Sequence, residues 1–224
     1  MHEMILGLLK SADTFAAAEE VQKDGSSVEV AKRYEQLVLN LYWKAKDLPA
    51  VVIMSHFGLS YCLTNARQGD HATWLLDSAK KIAYNLASFC WPGWDEPGIT
   101  ISEGDIQIGS DAAKLNLRLA IELNRPPLGM SMAYWMLGGY ALVFRDFRAA
   151  AARFTQGIEL AGKAQDEGQV SSNEGFLALS RIGQNDPSGE AEFARVLEQL
   201  EIQNTDDSKE YARQLRVARR VFQL

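Results

Sequence analysis

Cysteine is almost missing from this sequence: only Cys62 and Cys90 occur in 224 residues, without CxxC spacing and both inside apolar helical patterns. That speaks against a disulfide framework or a thiolate metal cage, and two buried free thiols in a reducing compartment, the cytoplasm, are expected. Histidine is as sparse, at His2, His56 and His71, and none stands in an HExxH arrangement. There is no GxSxG elbow, no Walker phosphate loop and no dinucleotide glycine fingerprint. No catalytic residue, metal ligand or cofactor is therefore assigned, and the chain is not read as an enzyme. His56, just ahead of Gly58, allows two readings: an acid–base group facing a groove, or a packing residue between helices.

A surplus of positive charge is lacking too. Lys and Arg number 23 against 29 Asp and Glu, for a formal net charge of -6 and a pI near 5.2. Such a surface is poorly suited to holding phosphate backbones by counterion release, so nucleic acid is not expected as a partner. No apolar run approaches the roughly 18 residues that would cross a bilayer, and MHEMILGLLKSAD has neither the basic segment nor the small-residue cleavage site of a secretory signal. A soluble intracellular protein without a membrane partner is expected. With 47% hydrophobic residues, the chain has enough apolar material for a substantial core.

What the sequence does have is apolar residues at 3 and 4 spacing nearly throughout, with strand-like alternation only at Ile99-Thr100-Ile101. The expected fold class is all-α. A first helix is predicted over about 3–22, and a second from Ser26-Ser27, which can cap it, to Asp47-Leu48-Pro49. A third, about 50–66, is apolar on several sides through Ile53, Phe57, Leu59, Tyr61 and Leu63, and is predicted to be interior. Gln68-Gly69-Asp70 ends it, and the next helix shows Leu75, Ala79, Ile82 and Leu86. Pro92, Gly93, Pro97, Gly98 and Gly104 then mark an irregular loop over 91–105. Ser110 can cap a helix reading Ala112, Leu115, Leu119, Leu123, which ends at Asn124-Arg125-Pro126-Pro127. Two helices follow, then one around Ser172 to Ile182, a break from Gln184 to Gly189, one over about 190–200, and a last over about 207–222. Short turns between such helices are the layout of stacked hairpins.

The stretch YWMLGGYALVFRDFRAAAARFTQGIELA, residues 134–161, fixes its small residues at particular places. Gly138 lets a partner helix approach closely, Ala150 supplies a second small surface at that crossing, and Phe154, one turn on, fills the wedge beside Leu137. With Tyr134, Leu137, Gly138, Ala150, Phe154 and Gly157, and Asp146-Phe147 at the turn, the segment resembles a tetratricopeptide repeat. Two positions depart from that pattern: Ala141 stands where the family has Tyr, and Gly162 where it has a late Pro. The best copy covers 131–164. A second, over 51–88, uses Phe57, Gly58 and Tyr61 and reaches its turn at Gly69-Asp70-His71; a third lies near 175–200. The resemblance implies one array of antiparallel helical hairpins over 1–224, an α-solenoid closed by the last helix as a cap. That helix sets Tyr211, Leu215, Ala218 and Phe222 on one stripe.

In that family the first helix of each hairpin lines a concave groove where peptides lie. The resemblance therefore places Met132, Trp135, Leu142 and Val143 of one copy, and Ser55, Leu59, Cys62 and Leu63 of the other, toward a groove. Its occupant would be another protein or peptide, a second copy of the chain, or one of the chain's own helices. The expected role is a protein interaction module or scaffold, whose acidic balance favours partners with basic flanks. Two other readings stay open. One is a sensor with an interior pocket for a small apolar ligand, lined by Trp135, Tyr140, Cys62 and His56. The other is an enzyme whose cleft joins His56 or His71 to carboxylates. Trp91 and Trp94 suit either a binding loop or a plug, and Arg213, Arg216 and Arg220 either an anion-binding stripe or a wet outer face.

Overall fold

Helices, and no strands, make up the regular structure in the computed structural model, which describes residues 2–67 and 71–224, less the side chains of His2 and Glu3. The eleven α-helices among these residues are α1 (His2–Lys10), α2 (Thr14–Gln22), α3 (Ser27–Asn40), α4 (Leu48–Asn65), α5 (Ala72–Phe89), α6 (Glu103–Glu122), α7 (Pro127–Val143), α8 (Phe147–Lys163), α9 (Glu167–Gly183), α10 (Gly189–Gln203) and α11 (Asp206–Phe222). A π turn at Leu41–Ala45 extends α3, and a 3-10 turn lies at Pro92–Trp94. The all-α class therefore stands, and Ile99-Thr100-Ile101 is irregular rather than a strand. The breaks expected at Gln68-Gly69-Asp70 and Gly69-Asp70-His71 fall, apart from His71, outside the described residues. The chain forms two compact units, Met1–Cys90 with Gly98–Leu123, and Trp91–Pro97 with Asn124–Leu224.

One local device recurs in both units. A residue with positive φ closes one helix and an Asp follows it: Ala12-Asp13, Lys46-Asp47, Arg145-Asp146, Gln165-Asp166 and Asn185-Asp186, with φ of 61, 53, 57, 57 and 58° at the first residue, and the first four Asp residues cap the next helix. The Asp carboxylates accept from the N–H groups of Ala16, Ala50, Ala149 and Gln169 at 2.8 to 3.1 Å, and Asp186 accepts from Ser188 at 2.9 Å. An orphan donor at the starts of α2, α4, α8 and α9 is thus satisfied by a side chain, whereas Asp186 only braces the turn before α10. The device corrects the first predicted helix: the single rod over 3–22 is two helices, because Ala12 turns left-handed and Asp13 donates its N–H to the Leu8 carbonyl at 2.9 Å.

In the first unit, α3 packs on α4 and α5, α4 on α5, and α5 on α6. Tyr34 is fully buried and accepts from Gln22 Nε2 at 2.8 Å, while Tyr42 stacks on Phe89 with centroids 3.8 Å apart. The expectation that α4 is wholly interior needs correction, since His56, Ser60 and Thr64, spaced by four, form an exposed polar edge. Another correction concerns α6, which starts at Glu103 rather than after Ser110. Ser102 and Asp105 form a reciprocal cap, with Ser102 N–H donating to Asp105 Oδ2 at 2.8 Å and Asp105 N–H to Ser102 Oγ at 3.2 Å, and Ser110 is buried within the helix.

In the second unit each helix from α7 to α10 packs on its successor, and α9 also meets α7 and α11. Helix α9 begins at Glu167, earlier than the predicted Ser172, because Asp166 caps it. An added Cβ at Gly138 would lie 2.7 Å from the Phe154 ring. Gly138 thus makes room for the Phe154 ring, one turn beyond Ala150 along α8, and Ala150 is itself fully buried. At Gly157 an added Cβ would meet Asn173 Oδ1 at 2.1 Å, and the Gly157 carbonyl accepts from Ser131 Oγ at 2.8 Å. Forty residues separate the starts of α7 and α9, against about 34 for a tetratricopeptide hairpin.

Candidate interaction surface

Most of the residues assigned to a groove lie inside their units. Ser55, Leu59 and Cys62 on α4 and Trp135 and Leu142 on α7 are buried, while Met132, Leu63 and Val143 are half-buried. Trp135, 6% exposed, sits within an aromatic cluster. Trp94 stacks on it at 5.5 Å and 20°, Trp91 meets it edge-on at 5.4 Å, and Phe176 approaches at 5.1 Å. Phe222 of α11 lies 5.7 Å from Trp91. The segment 91–97 therefore covers α7 with its own indoles, and Asp95 is tied to Arg220 at 2.6 Å. This packing within one unit favours the plug among the two readings for this loop. Burial has left the Nε1 donors of Trp91 and Trp135 without an acceptor among the described residues.

Charge on α11 is already engaged. Arg213 meets Glu210 at 2.6 Å, Arg216 pairs with Glu201, Arg219 reaches Glu190 at 2.6 Å and Arg220 holds Asp95. Each guanidinium has a carboxylate from its own unit, which favours the wet outer face over an anion stripe. The Glu210 carboxyl is held below its ordinary pKa by the Arg213 hydrogen bond, partly offset by burial. His56 is exposed and its Nδ1 donates to the Val52 carbonyl at 2.8 Å, so it faces away from an interior pocket. Among the described residues, His71 lines an open depression with Ser26, Val28, Lys32 and Trp74, none of which is a carboxylate. Burial pushes the thiols of Cys62 and Cys90 up to about 12. No group of three or more His, Cys, Asp or Glu side chains suited to a metal ion occurs among the described residues, and no helix there is long and apolar enough to cross a membrane.

Large apolar side chains do stand in the open at Phe15 (73% exposed, edge-on to Phe57 at 5.6 Å), Trp74 (61%) and Ile202 (75%). Ile202 borders a depression of about 390 Å³ between α9 and α10, lined by Glu167, Val170, Ser171, Glu174, Arg195, Gln199, Ile202 and Gln203. The volume lies within the roughly 300–1,000 Å³ range of ligand sites, but this one is an open groove. The α9 members fall at i, i+3, i+4 and i+7 and the α10 members at i, i+4, i+7 and i+8, so one face of each helix forms each wall. Sequence reasoning missed this groove. Its signal was the phase of Ile202: the buried side of α10 carries Phe193, Val196 and Leu200, and an apolar residue two places after Leu200 falls outside that stripe.

No protein-family model matches this chain, and no curated protein is significantly similar to it.

Proposed function

We propose that the chain is a helical interaction module of tetratricopeptide-like design that holds a segment of another protein. The observation that carries this reading is the open α9–α10 groove with Ile202 at its edge. An aliphatic side chain left mostly in water beside a concavity is a ready anchor point: covering it removes apolar area from water at roughly 25 cal/mol per Å². The docking face moves accordingly from α4 and α7, whose assigned residues are mainly covered, to the wall that remains open. An interior pocket for a small ligand has less support, because Trp135 is already enclosed by Trp91, Trp94 and Phe176.

The test is affinity capture from the source cell with the intact chain and with Ile202→Asp. The substitution sits on an exposed side chain in the last turn of α10 and is expected to leave the melting temperature within a few degrees. A bound protein recovered by the intact chain and lost from the variant supports the reading. Equal recovery by both would remove α9–α10 as the docking face, and recovery of nothing by either would sink the interaction role.

A further inference from the structure

We infer that the α9–α10 groove takes a segment whose aliphatic side chain is flanked by Lys or Arg, an inference that rests on the interaction reading above and adds the partner's chemistry. Val170 and Ile202 are the apolar members of its lining, and Ser171 is nearly closed from solvent. These two side chains receive an aliphatic group, while in the polar walls Arg195 and Glu174 already hold each other.

The rim determines what flanks that group. Arg195 is the one base among the groove's lining residues, and it is committed, donating to Glu174 at 3.0 Å and to Gln199 at 2.8 Å. Glu167, at the opening of α9, and Glu198, one helical turn before Ile202, have no ion-pair partner among the described residues. The nearby guanidinium groups of Arg213, Arg216 and Arg219 are held by Glu210, Glu201 and Glu190. Glu167 is thus left unpaired in the groove's lining, and Glu198 unpaired beside it on the helix face that carries Ile202. A partner with cations beside its apolar anchor meets complementary charge, whereas an acidic one meets repulsion. Because the groove is open, the attraction falls as salt rises.

The experiment titrates the full chain into fluorescein-labelled peptides that share a leucine core and carry Lys, Gln or Glu at the flanking positions. The Lys peptide is expected to bind at least about tenfold more tightly than the other two at 0.15 M salt, to lose that preference in Glu167→Gln/Glu198→Gln, and to lose binding in Ile202→Asp. All these substitutions are on the surface, and an unchanged melting temperature confirms that each variant is folded. If the peptides bind alike and Ile202→Asp abolishes all three, the basic preference is overturned while the groove stands. If the Lys peptide binds Ile202→Asp as well as the intact chain, the attraction is diffuse charge, and both the groove and its partner chemistry are overturned. If no peptide binds, this inference is overturned, while capture from the cell still judges the interaction role by itself.

Discussion

At Gly157 the absence of one carbon decides whether α8 and α9 can meet, because an added Cβ would stand 2.1 Å from Asn173 Oδ1. Asn173 has little freedom to withdraw: it is fully buried and its Nδ2 donates to the Gln169 carbonyl at 2.8 Å. Gly157→Ala is expected to cost about 1–3 kcal/mol in urea unfolding. On the same helix nothing lies within 4 Å of an added Cβ at Gly162, so Gly162→Ala is expected to gain up to about 1 kcal/mol through helix propensity alone. A loss at Gly162 equal to that at Gly157 would show that steric closeness is not the cause. The two thiols give a second expectation. Their pKa rises on folding from an ordinary 9.0 to about 12, so the native state holds its protons more tightly than the unfolded chain. The stability this confers is complete below pH 9 and is lost as pH rises toward 12. Thiol reagents at pH 8 should label Cys62 and Cys90 only after unfolding, and rapid native labelling would contradict their burial. Residue spacing was a good guide to which positions share a face, as with Leu75, Ala79, Ile82 and Leu86. It could not tell a covered face from an open one, since the cover over Trp135 comes from residues 91–97, more than a third of a hundred residues away in the chain.

The helices owe their ends to side chains more than to glycine and proline. Five turns use a left-handed residue followed by Asp, and four of those Asp residues accept from an N–H three places on. Asp166→Ala is expected to cost about 0.5–2 kcal/mol and Asp166→Asn much less, read from thermal unfolding followed by circular dichroism. Equal losses for both would mean that the carboxylate serves something other than the cap. The same device explains where helix boundaries were legible. Asp146 and the break at Asn185-Asp186 stand out in the sequence, whereas Ala12 does not, since alanine is a strong helix former and the spacing Ile5, Leu8, Ala12, Ala16 runs through it unbroken. Likewise Gly104 reads as a breaker, yet it sits in the first turn of α6, where the Ser102–Asp105 cap supplies the missing bonds.

For the whole molecule, helical class and helix order were readable because 3 and 4 spacing is a property of each segment by itself. The repeat period was not. The 131–164 match spans the family's length, whereas starts forty residues apart reflect helices of 17 residues joined by short turns. The open groove was hidden for a related reason: it depends on what neighbouring helices leave uncovered. Charge is the other global property. With a net -6, and with four arginines of α11 paired to carboxylates, the chain is expected to leave the fluorescence anisotropy of a labelled DNA duplex unchanged at 0.15 M salt. A salt-sensitive rise would mean that a cationic surface is presented despite those pairs. Four of the five tryptophans divide in a way that bears on all such measurements. Trp43 and Trp74 project into water from the first unit, while Trp91 and Trp135 lie enclosed in the second with no acceptor for their indole protons. Emission from the exposed pair is therefore expected to be red-shifted and open to iodide quenching, and that from the enclosed pair blue and shielded. The molecule thus carries its own optical labels, by which the melting of either half is followed without attaching a dye.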